Sequence, residues 1–191
     1  AQLADDYSFG QIRVSHEQNL ILADVPRSDL PELWKELVKL DLATPNIGSL
    51  TDLICCPGLD FCSLANAGSI PIANQINEYF DDMDYVYDLG EIKIKISGCM
   101  NACGHHHVGH IGILGVDKKG EEWYQITLGG SAEGDASIGK IVGPSIAKND
   151  VASTISTILK TYLVHRENPE DSFLATVRRI GIKPFKEAVY V

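Results

Sequence analysis

The sequence predicts an α+β fold, in which helices flank a mixed β-sheet. Three observations lead to this prediction. Read along the chain, the elements run strand, helix, strand, then further strands, then terminal helices. One stretch alternates strictly between apolar and charged residues, as a half-buried strand does. Near the carboxyl end, apolar residues recur at helical spacing.

Composition and charge exclude several classes of protein. Of the 191 residues, 45% are hydrophobic and 22% are charged, which is typical of a globular protein. The net charge of −10 disfavours nucleic acid as a partner. No apolar run reaches the roughly eighteen residues of a membrane span. The first residues lack the basic and apolar stretches of a signal peptide, so we expect a cytoplasmic location.

The first 46 residues are predicted to form a unit of their own. Short apolar stretches within residues 10–25 suit a β-hairpin. A helix should follow, with Ser28 as its N-cap and Pro31 in its first turn. The turn-forming residues 44–46 then predict a boundary between domains 1–46 and 47–191. The apolar stripe of that helix contains Leu30, Leu33, Trp34, Leu37 and Leu40.

The second domain is predicted to begin with a buried strand, a helix and a second strand. Residues 51–56 form the first strand. A helix follows between Cys62 and Phe80, with a possible break near Gly68 and Pro71. The acidic run 81–84 is interpreted as a solvated loop. Residues 90–97 form the clearest strand, because three isoleucines alternate with Lys93 and Lys95. The lysines could attract an anion, but we interpret them as the solvated face of this strand.

The remaining chain is predicted to complete the sheet and then to end in helices. A turn at 118–120 joins two of these strands, and Asn149 or Asp150 can cap the first of the helices. The predicted strands cover 110–116, 123–128 and 138–142, and the predicted helices start near 151 and 171.

All five cysteines lie between positions 55 and 103, in a pattern that suggests ligands. Cys56 and Cys62 form a C-x5-C pair, and Cys99 and Cys103 form a C-x3-C pair. Each pair follows a predicted strand on a glycine-containing loop. Two such loops at one sheet edge can present four thiolates to a single centre.

A 4Fe–4S cluster suits this arrangement, because each iron takes one thiolate and the cube tolerates wider spacing than a zinc ion does. Gly58, Gly98 and Gly104 would let backbone N–H groups approach the sulfurs. Cys55 and Cys56 compete for one ligand position, and the spacing does not choose between them.

Two other interpretations remain open from the residues alone. A zinc site could use Cys99, Cys103 and members of the run His105–His107 or His110, although C-x3-C is an unusual zinc spacing. The cysteines could also be buried structural residues. Of the three adjacent histidines, we expect one to be packed and two to lie at the surface.

The strings around the cysteines resemble a known family. The run 56–65, CPGLDFCSLA, and the run 101–112, NACGHHHVGHIG, resemble the cluster-binding half of sirohaem-dependent sulfite and nitrite reductases. The resemblance extends over nearly the whole chain. It implies a partial ferredoxin-like segment within residues 1–46, followed by a domain at 47–191 that binds a 4Fe–4S cluster and sirohaem.

The resemblance also implies roles for particular residues. Cys56, Cys62, Cys99 and Cys103 would bind the cube, and Cys103 would be shared with the sirohaem iron. Cys55 would then be a buried thiol outside the ligand set. The backbone around Asn101, with Gly104 nearby, would lie against the macrocycle.

The implied function is the six-electron reduction of sulfite to sulfide, with nitrite to ammonia as the alternative. A ferredoxin or a flavoprotein would donate the electrons. Binding such anions requires converging Arg and Lys side chains. This acidic chain has few of them near the motif, so we expect an N-terminal half of the same enzyme to supply them. The fragment alone would be inactive. A 4Fe–4S electron-transfer module without haem is a further alternative.

Overall fold

The computed structural model describes residues 1–190, which form two compact units. The first extends from Ala1 to Pro45, and the second begins at Asn46. No helix among the described residues is long and apolar enough to cross a bilayer.

The first unit consists of two helices and a β-hairpin. Its elements are α1 (Gln2–Tyr7), β1 (Arg13–Val14), β2 (Leu20–Ile21) and α2 (Leu30–Lys39). The predicted hairpin is confirmed, because β1 and β2 pair antiparallel. Helix α1 was not predicted.

Two details of α2 differ from the prediction. Asp29, not Ser28, is the N-cap residue, and the Ser28 hydroxyl donates to the Asp29 carboxylate at 2.8 Å. Of the predicted apolar stripe only Leu33 is buried, while Trp34 is 59% exposed. A unit of this size buries too little surface to cover every apolar side chain.

The second unit is built on a six-stranded mixed sheet, which confirms the predicted fold class. Strands β3, β4 and β5 run parallel, whereas β5 and β6 form an antiparallel hairpin. Strand β6 also pairs antiparallel with β7 and with β8. The strands are β3 (Ile54–Cys55), β4 (Ile94–Ser97), β5 (Ile111–Lys118), β6 (Glu121–Leu128), β7 (Lys140–Ile141) and β8 (Ile146–Ala147).

The helices of this unit follow the prediction in part. They are α3 (Ile70–Tyr79), α4 (Met83–Asp88), α5 (Val151–His165), α6 (Phe173–Ile180) and α7 (Lys183–Tyr190). Helix α3 begins only at Ile70, because Pro71 fits the first turn and not a helix interior. The acidic run 81–84 is a loop only at Asp81 and Asp82, because α4 begins at Met83. The Asp82 carboxylate accepts from the N–H groups of Asp84 and Tyr85 and caps this helix. Helix α7 was not predicted from the sequence.

One core joins the sheet to the helices. The isoleucines at 92, 94 and 96 are buried, as their alternation predicted, and they share this core with α5. The lysines between them are half-buried, so the predicted solvated face is only partly solvated. Asp150 is the N-cap residue of α5, although its side chain makes no capping hydrogen bond.

Candidate functional site

The two cysteine pairs begin at the same edge of the sheet. Cys56 follows β3 directly, and Cys99 comes two residues after the end of β4. These strands are parallel neighbours, with Cys55 opposite Ile96, so their carboxyl ends meet at one edge. The predicted strand-then-loop placement of both pairs is therefore confirmed.

The loops that follow the two strands are hydrogen-bonded to each other. The N–H of Gly98 donates to Cys56 Sγ at 3.1 Å. The carbonyl O of Gly98 accepts from the N–H groups of Asn66 at 2.9 Å and Ala67 at 3.0 Å. The carbonyl O of Ala67 in turn accepts from the N–H of Leu59 at 3.2 Å. The loop at 56–69 and Gly98 thus form one junction, although Gly98 is distant from this loop in the sequence.

Glycines make this junction possible. A Cβ atom at Gly98 would lie 2.6 Å from the Ala67 carbonyl O and 2.9 Å from the Gly58 Cα. A Cβ atom at Gly104 would overlap the carbonyl O of Ile96. Gly58 also has a φ of +64°, in the left-handed region that glycine adopts without strain. The predicted approach of a backbone N–H to a sulfur is observed at Gly98, whereas the N–H of Gly104 donates to Ser97 Oγ.

The four predicted ligands differ in exposure. Cys56 and Cys99 are buried, Cys62 is half-buried and Cys103 is exposed. Tight turns fix both pairs, with Cys62 N–H donating to Gly58 O at 2.9 Å and Ala102 N–H donating to Cys99 O at 3.2 Å. The exposed thiol of Cys103 is open to contact with a further group.

The site does not have the geometry of a single-ion centre. Among residues 1–190, no three His, Cys, Asp or Glu side chains are grouped closely enough to hold one metal ion. A cube takes each thiolate on a different iron, so its ligands lie further apart.

The structure separates Cys55 from Cys56. Cys55 is half-buried against the hydrophobic core, and this burial, followed by the charge of Cys56, raises the pKa of its thiol. Cys56 Sγ lies instead in the loop junction, beside the N–H of Gly98. This placement favours Cys56 over Cys55 as the ligand, a choice that the spacing left open.

The three adjacent histidines are arranged as predicted, with one packed and two at the surface. His106 is buried, whereas His105 and His107 are exposed. Burial, and secondarily the charge of His107, lowers the pKa of His106 to about 4. Its Nδ1 atom is buried and makes no hydrogen bond to the described residues.

Lys93 is committed to acidic partners. Its Nζ forms ion pairs with Glu91 at 3.0 Å and with Glu133. Its N–H donates to Nδ1 of the buried His110 at 3.2 Å. The hydrogen bond that Lys93 Nζ donates to Glu133, followed by the one that it donates to Glu91, raises the pKa of Lys93. Glu91 and Glu133 already balance the positive charge of Lys93, so this charge does not serve to bind an external anion.

Residues of β6 that the sequence analysis missed fix the loop before α3. Glu122 Oε2 accepts from the N–H of Gly68 at 2.6 Å, and the Tyr124 hydroxyl donates to the Gly68 carbonyl O at 2.7 Å. Lys148 donates to Glu122 Oε1 at 2.6 Å. Burial would raise the pKa of Glu122, but the hydrogen bonds from Lys148, Gly68 and Tyr124 outweigh it and lower the pKa.

Ser69 is a further residue that was not predicted from the sequence. Its side chain is fully buried, and its Oγ lies 3.4 Å from Cys56 Sγ. The thirteen positions that separate Ser69 from Cys56 carry no periodic signal that could have revealed this contact.

Fold and site together define an α+β protein with two cysteine pairs on interlocked loops at the edge of a mixed sheet. The family model described as "Nitrite and sulphite reductase 4Fe-4S domain" matches residues 48–191. The model "Nitrite/Sulfite reductase ferredoxin-like half domain" matches residues 1–40. The chain belongs to the nitrite and sulfite reductase family, as the resemblance of the cysteine strings predicted. Membership implies a 4Fe–4S cluster coupled to sirohaem.

The proteins similar to this chain include a nitrite reductase and a sulfite reductase. An assimilatory ferredoxin-dependent nitrite reductase of Haloferax mediterranei is 30% identical over 87% of this chain, which covers 29% of that protein. A sulfite reductase [NADPH] hemoprotein beta-component of Staphylococcus carnosus is 29% identical over 84% of the chain and 28% of the relative. The chain thus spans less than a third of the length of these curated relatives.

Two solved structures share the fold. The Mycobacterium tuberculosis NirA protein superimposes with a TM-score of 0.77 at 23% identity, over 91% of this chain and 33% of that one. Dissimilatory sulfite reductase I superimposes with a TM-score of 0.80 at 14% identity, over 98% of this chain and 63% of that one. At these identities the likeness shows the fold alone.

Proposed function

We propose that this chain is the C-terminal, cluster- and sirohaem-binding half of an assimilatory sulfite reductase. The observation that carries the proposal is the pair of interlocked cysteine loops at one sheet edge, in a chain of this family. The proposed domains are a ferredoxin-like segment at 1–46 and the cofactor-binding domain at 47–191.

The residues present fit a 4Fe–4S cube. Cys56, Cys62, Cys99 and Cys103 are the proposed ligands, and they supply the four thiolates that a cube requires. The N–H of Gly98 already points at Cys56 Sγ, as donors to cluster sulfurs do. When bound, the cube would supply single electrons, and sirohaem would supply the iron at which the oxyanion is reduced.

The exposed side of the second loop is the proposed sirohaem face. Cys103 is exposed, so its thiolate can reach a second iron while it remains a cluster ligand. Asn101 is also exposed, and we assign its backbone to contact with the macrocycle. Gly104 is buried beneath this turn, against Ile96, and holds the turn close to the sheet.

The substrate-binding cations are proposed to come from outside this chain. Sulfite and the sirohaem carboxylates require several Arg and Lys side chains. Lys93 is already paired with Glu91 and Glu133. We therefore assign anion binding to an N-terminal half of the same enzyme and expect the isolated chain to reduce neither anion efficiently. The proposed electron donor is a ferredoxin or a flavoprotein, and the proposed location is the cytoplasm.

Nitrite is the second candidate substrate. The Haloferax mediterranei relative, which is 30% identical to this chain, is named as a nitrite reductase. A third candidate, a 4Fe–4S electron-transfer module without haem, would need only the four cysteines.

One experiment separates these candidates. The chain, reconstituted without oxygen, is combined with the complementary half and sirohaem, and the rates of sulfide and ammonia formation are measured with a reduced donor. Faster sulfide formation from sulfite supports the proposal, and faster ammonia formation from nitrite supports the second candidate. A cluster that forms while haem never binds would favour the electron-transfer module. Zinc without iron or sulfide in anaerobically prepared protein would overturn all three.

A further inference from the structure

Ser69 occupies the N-cap position of α3 without capping it. A serine at this position usually accepts a hydrogen bond from an N–H group in the first helical turn. The Ser69 side chain makes no such bond. Its hydroxyl lies 3.4 Å from Cys56 Sγ, and the side chain is completely buried. The Ser69 hydroxyl therefore contacts the cysteine sulfur and does not cap the helix.

The direction of this hydrogen bond depends on the state of Cys56. Between a thiol and a hydroxyl either group can donate. A cysteine that ligates a metal is a thiolate and has no proton to give. With Cys56 as a ligand, Ser69 must therefore be the donor. Cys56 Sγ would then accept two hydrogen bonds, one from the Ser69 hydroxyl and one from the N–H of Gly98.

The position of the Ser69 hydroxyl depends on the space left by two glycines and on contacts of the preceding residue, Gly68. A Cβ atom at Gly58 would lie 2.9 Å from Ser69 Oγ, and one at Gly98 would lie 3.1 Å from it, so both glycines leave room for the hydroxyl. The preceding residue, Gly68, is fixed by Glu122 through its N–H and by Tyr124 through its carbonyl O. This network on β6 sets the position from which Ser69 reaches the sulfur.

We propose that Ser69 is a positioning residue that sets the reduction potential of the cluster through its hydrogen bond to Cys56 Sγ. The inference rests on the proposed function. A reduced cube carries one more negative charge than the oxidised cube, and part of that charge lies on the sulfurs. A hydrogen bond to a sulfur stabilises the reduced form more than the oxidised form, and therefore raises the reduction potential.

The test compares Ser69→Ala, Ser69→Thr and the wild-type chain after anaerobic reconstitution with iron and sulfide. The reduction potential is measured by a redox titration followed by EPR. We expect Ser69→Ala to contain as much iron and sulfide as wild type and to have a more negative potential. Ser69→Thr keeps the hydroxyl and should titrate like wild type. Ser156→Ala is the matched control, because it removes a buried hydroxyl from α5, a helix without predicted ligands.

Each other outcome has a definite meaning. Equal potentials for wild type and Ser69→Ala would overturn the assignment of Ser69 while leaving the proposed function intact. Failure of Ser69→Ala to bind a cluster would also overturn it, because a residue that only adjusts the potential is dispensable for assembly. Failure of the wild-type chain to take up iron and sulfide would instead overturn the proposed function, and the inference with it.

Discussion

The N–H of Gly98 donates to Cys56 Sγ at 3.1 Å and joins two loops whose residues are 42 positions apart in the sequence. This hydrogen bond connects the residue after β3 with the residue after β4. It places a donor at the sulfur through contacts of the protein alone. The loops of the candidate site are therefore held together by the protein itself, which keeps their thiols near the same sheet edge.

Replacement of Cys99 by serine is expected to abolish the cluster. Cys99 is buried at the turn after β4, and a serine hydroxyl is a poor substitute for a thiolate on iron. Iron and sulfide content, the visible absorption band and the EPR signal after anaerobic reconstitution measure the effect. Cys55→Ser is the matched control, because Cys55 packs against the core and should be dispensable for cluster binding. A cluster that survives Cys99→Ser and disappears in Cys55→Ser would contradict the ligand assignment.

Replacement of Gly98 by alanine is expected to destabilise the second unit. The added methyl group would lie 2.6 Å from the Ala67 carbonyl O and 2.9 Å from the Gly58 Cα, and both are backbone atoms that cannot rotate away. Overpacking of this kind costs about 1–3 kcal/mol of unfolding free energy. Urea unfolding measures the loss.

Gly134→Ala is the control for Gly98→Ala. No heavy atom lies within 4 Å of a Cβ at Gly134, and its φ is not in the left-handed region. Its unfolding free energy should stay within about 0.5 kcal/mol of wild type, as for other surface substitutions. Equal losses of unfolding free energy in Gly98→Ala and Gly134→Ala would show that the close contact between the loops does not stabilise the second unit.

Local sequence patterns predicted those parts of the fold that depend on neighbouring residues. The alternation at 92–96 identified a strand, and the two cysteine pairs identified the loops that follow β3 and β4. The loop prediction for the acidic run 81–84 was wrong at Met83 and Asp84, because an aspartate such as Asp82 serves as a helix cap as readily as it lies in a loop.

Contacts between distant segments could not be predicted in the same way. Ser69 approaches Cys56 where Gly58 pairs with Gly68. Tyr124 approaches Gly68 because the sheet brings β6 next to the loop before α3. Neither contact has a fixed spacing in the sequence. The exposed apolar side chains of α2 were also unpredictable, since helical periodicity identifies a face without showing what covers it.

Replacement of Tyr124 by phenylalanine is expected to loosen the loop before α3. The Tyr124 side chain is fully buried, and its hydroxyl lies 2.7 Å from the carbonyl O of Gly68. Its removal leaves a buried carbonyl with one partner fewer, which costs about 1–3 kcal/mol. Urea unfolding measures the loss, and amide hydrogen exchange at Gly68 and Ser69 should become faster. Tyr79→Phe, at an exposed position on α3, should change neither quantity.

Acidification is expected to destabilise the protein through His106. Its pKa is lowered from 6.5 to about 4 in the folded state, chiefly by burial. Between these two values the unfolded chain binds a proton that the folded chain excludes, so stability falls as the pH decreases from 6.5 towards 4. The full effect is on the order of a few kcal/mol.

NMR titration and urea unfolding of wild type and His106→Leu test this expectation. In wild type the imidazole signal of His106 should titrate near pH 4, and its disappearance in His106→Leu makes the assignment. Because leucine does not titrate, the variant should lose less stability than wild type between pH 6.5 and pH 4. Titration of His106 at its ordinary pKa, or equal losses in both proteins, would mean that the ring is solvated. The segment between Cys103 and β5 would then be less tightly packed on the sheet than the buried His106 indicates.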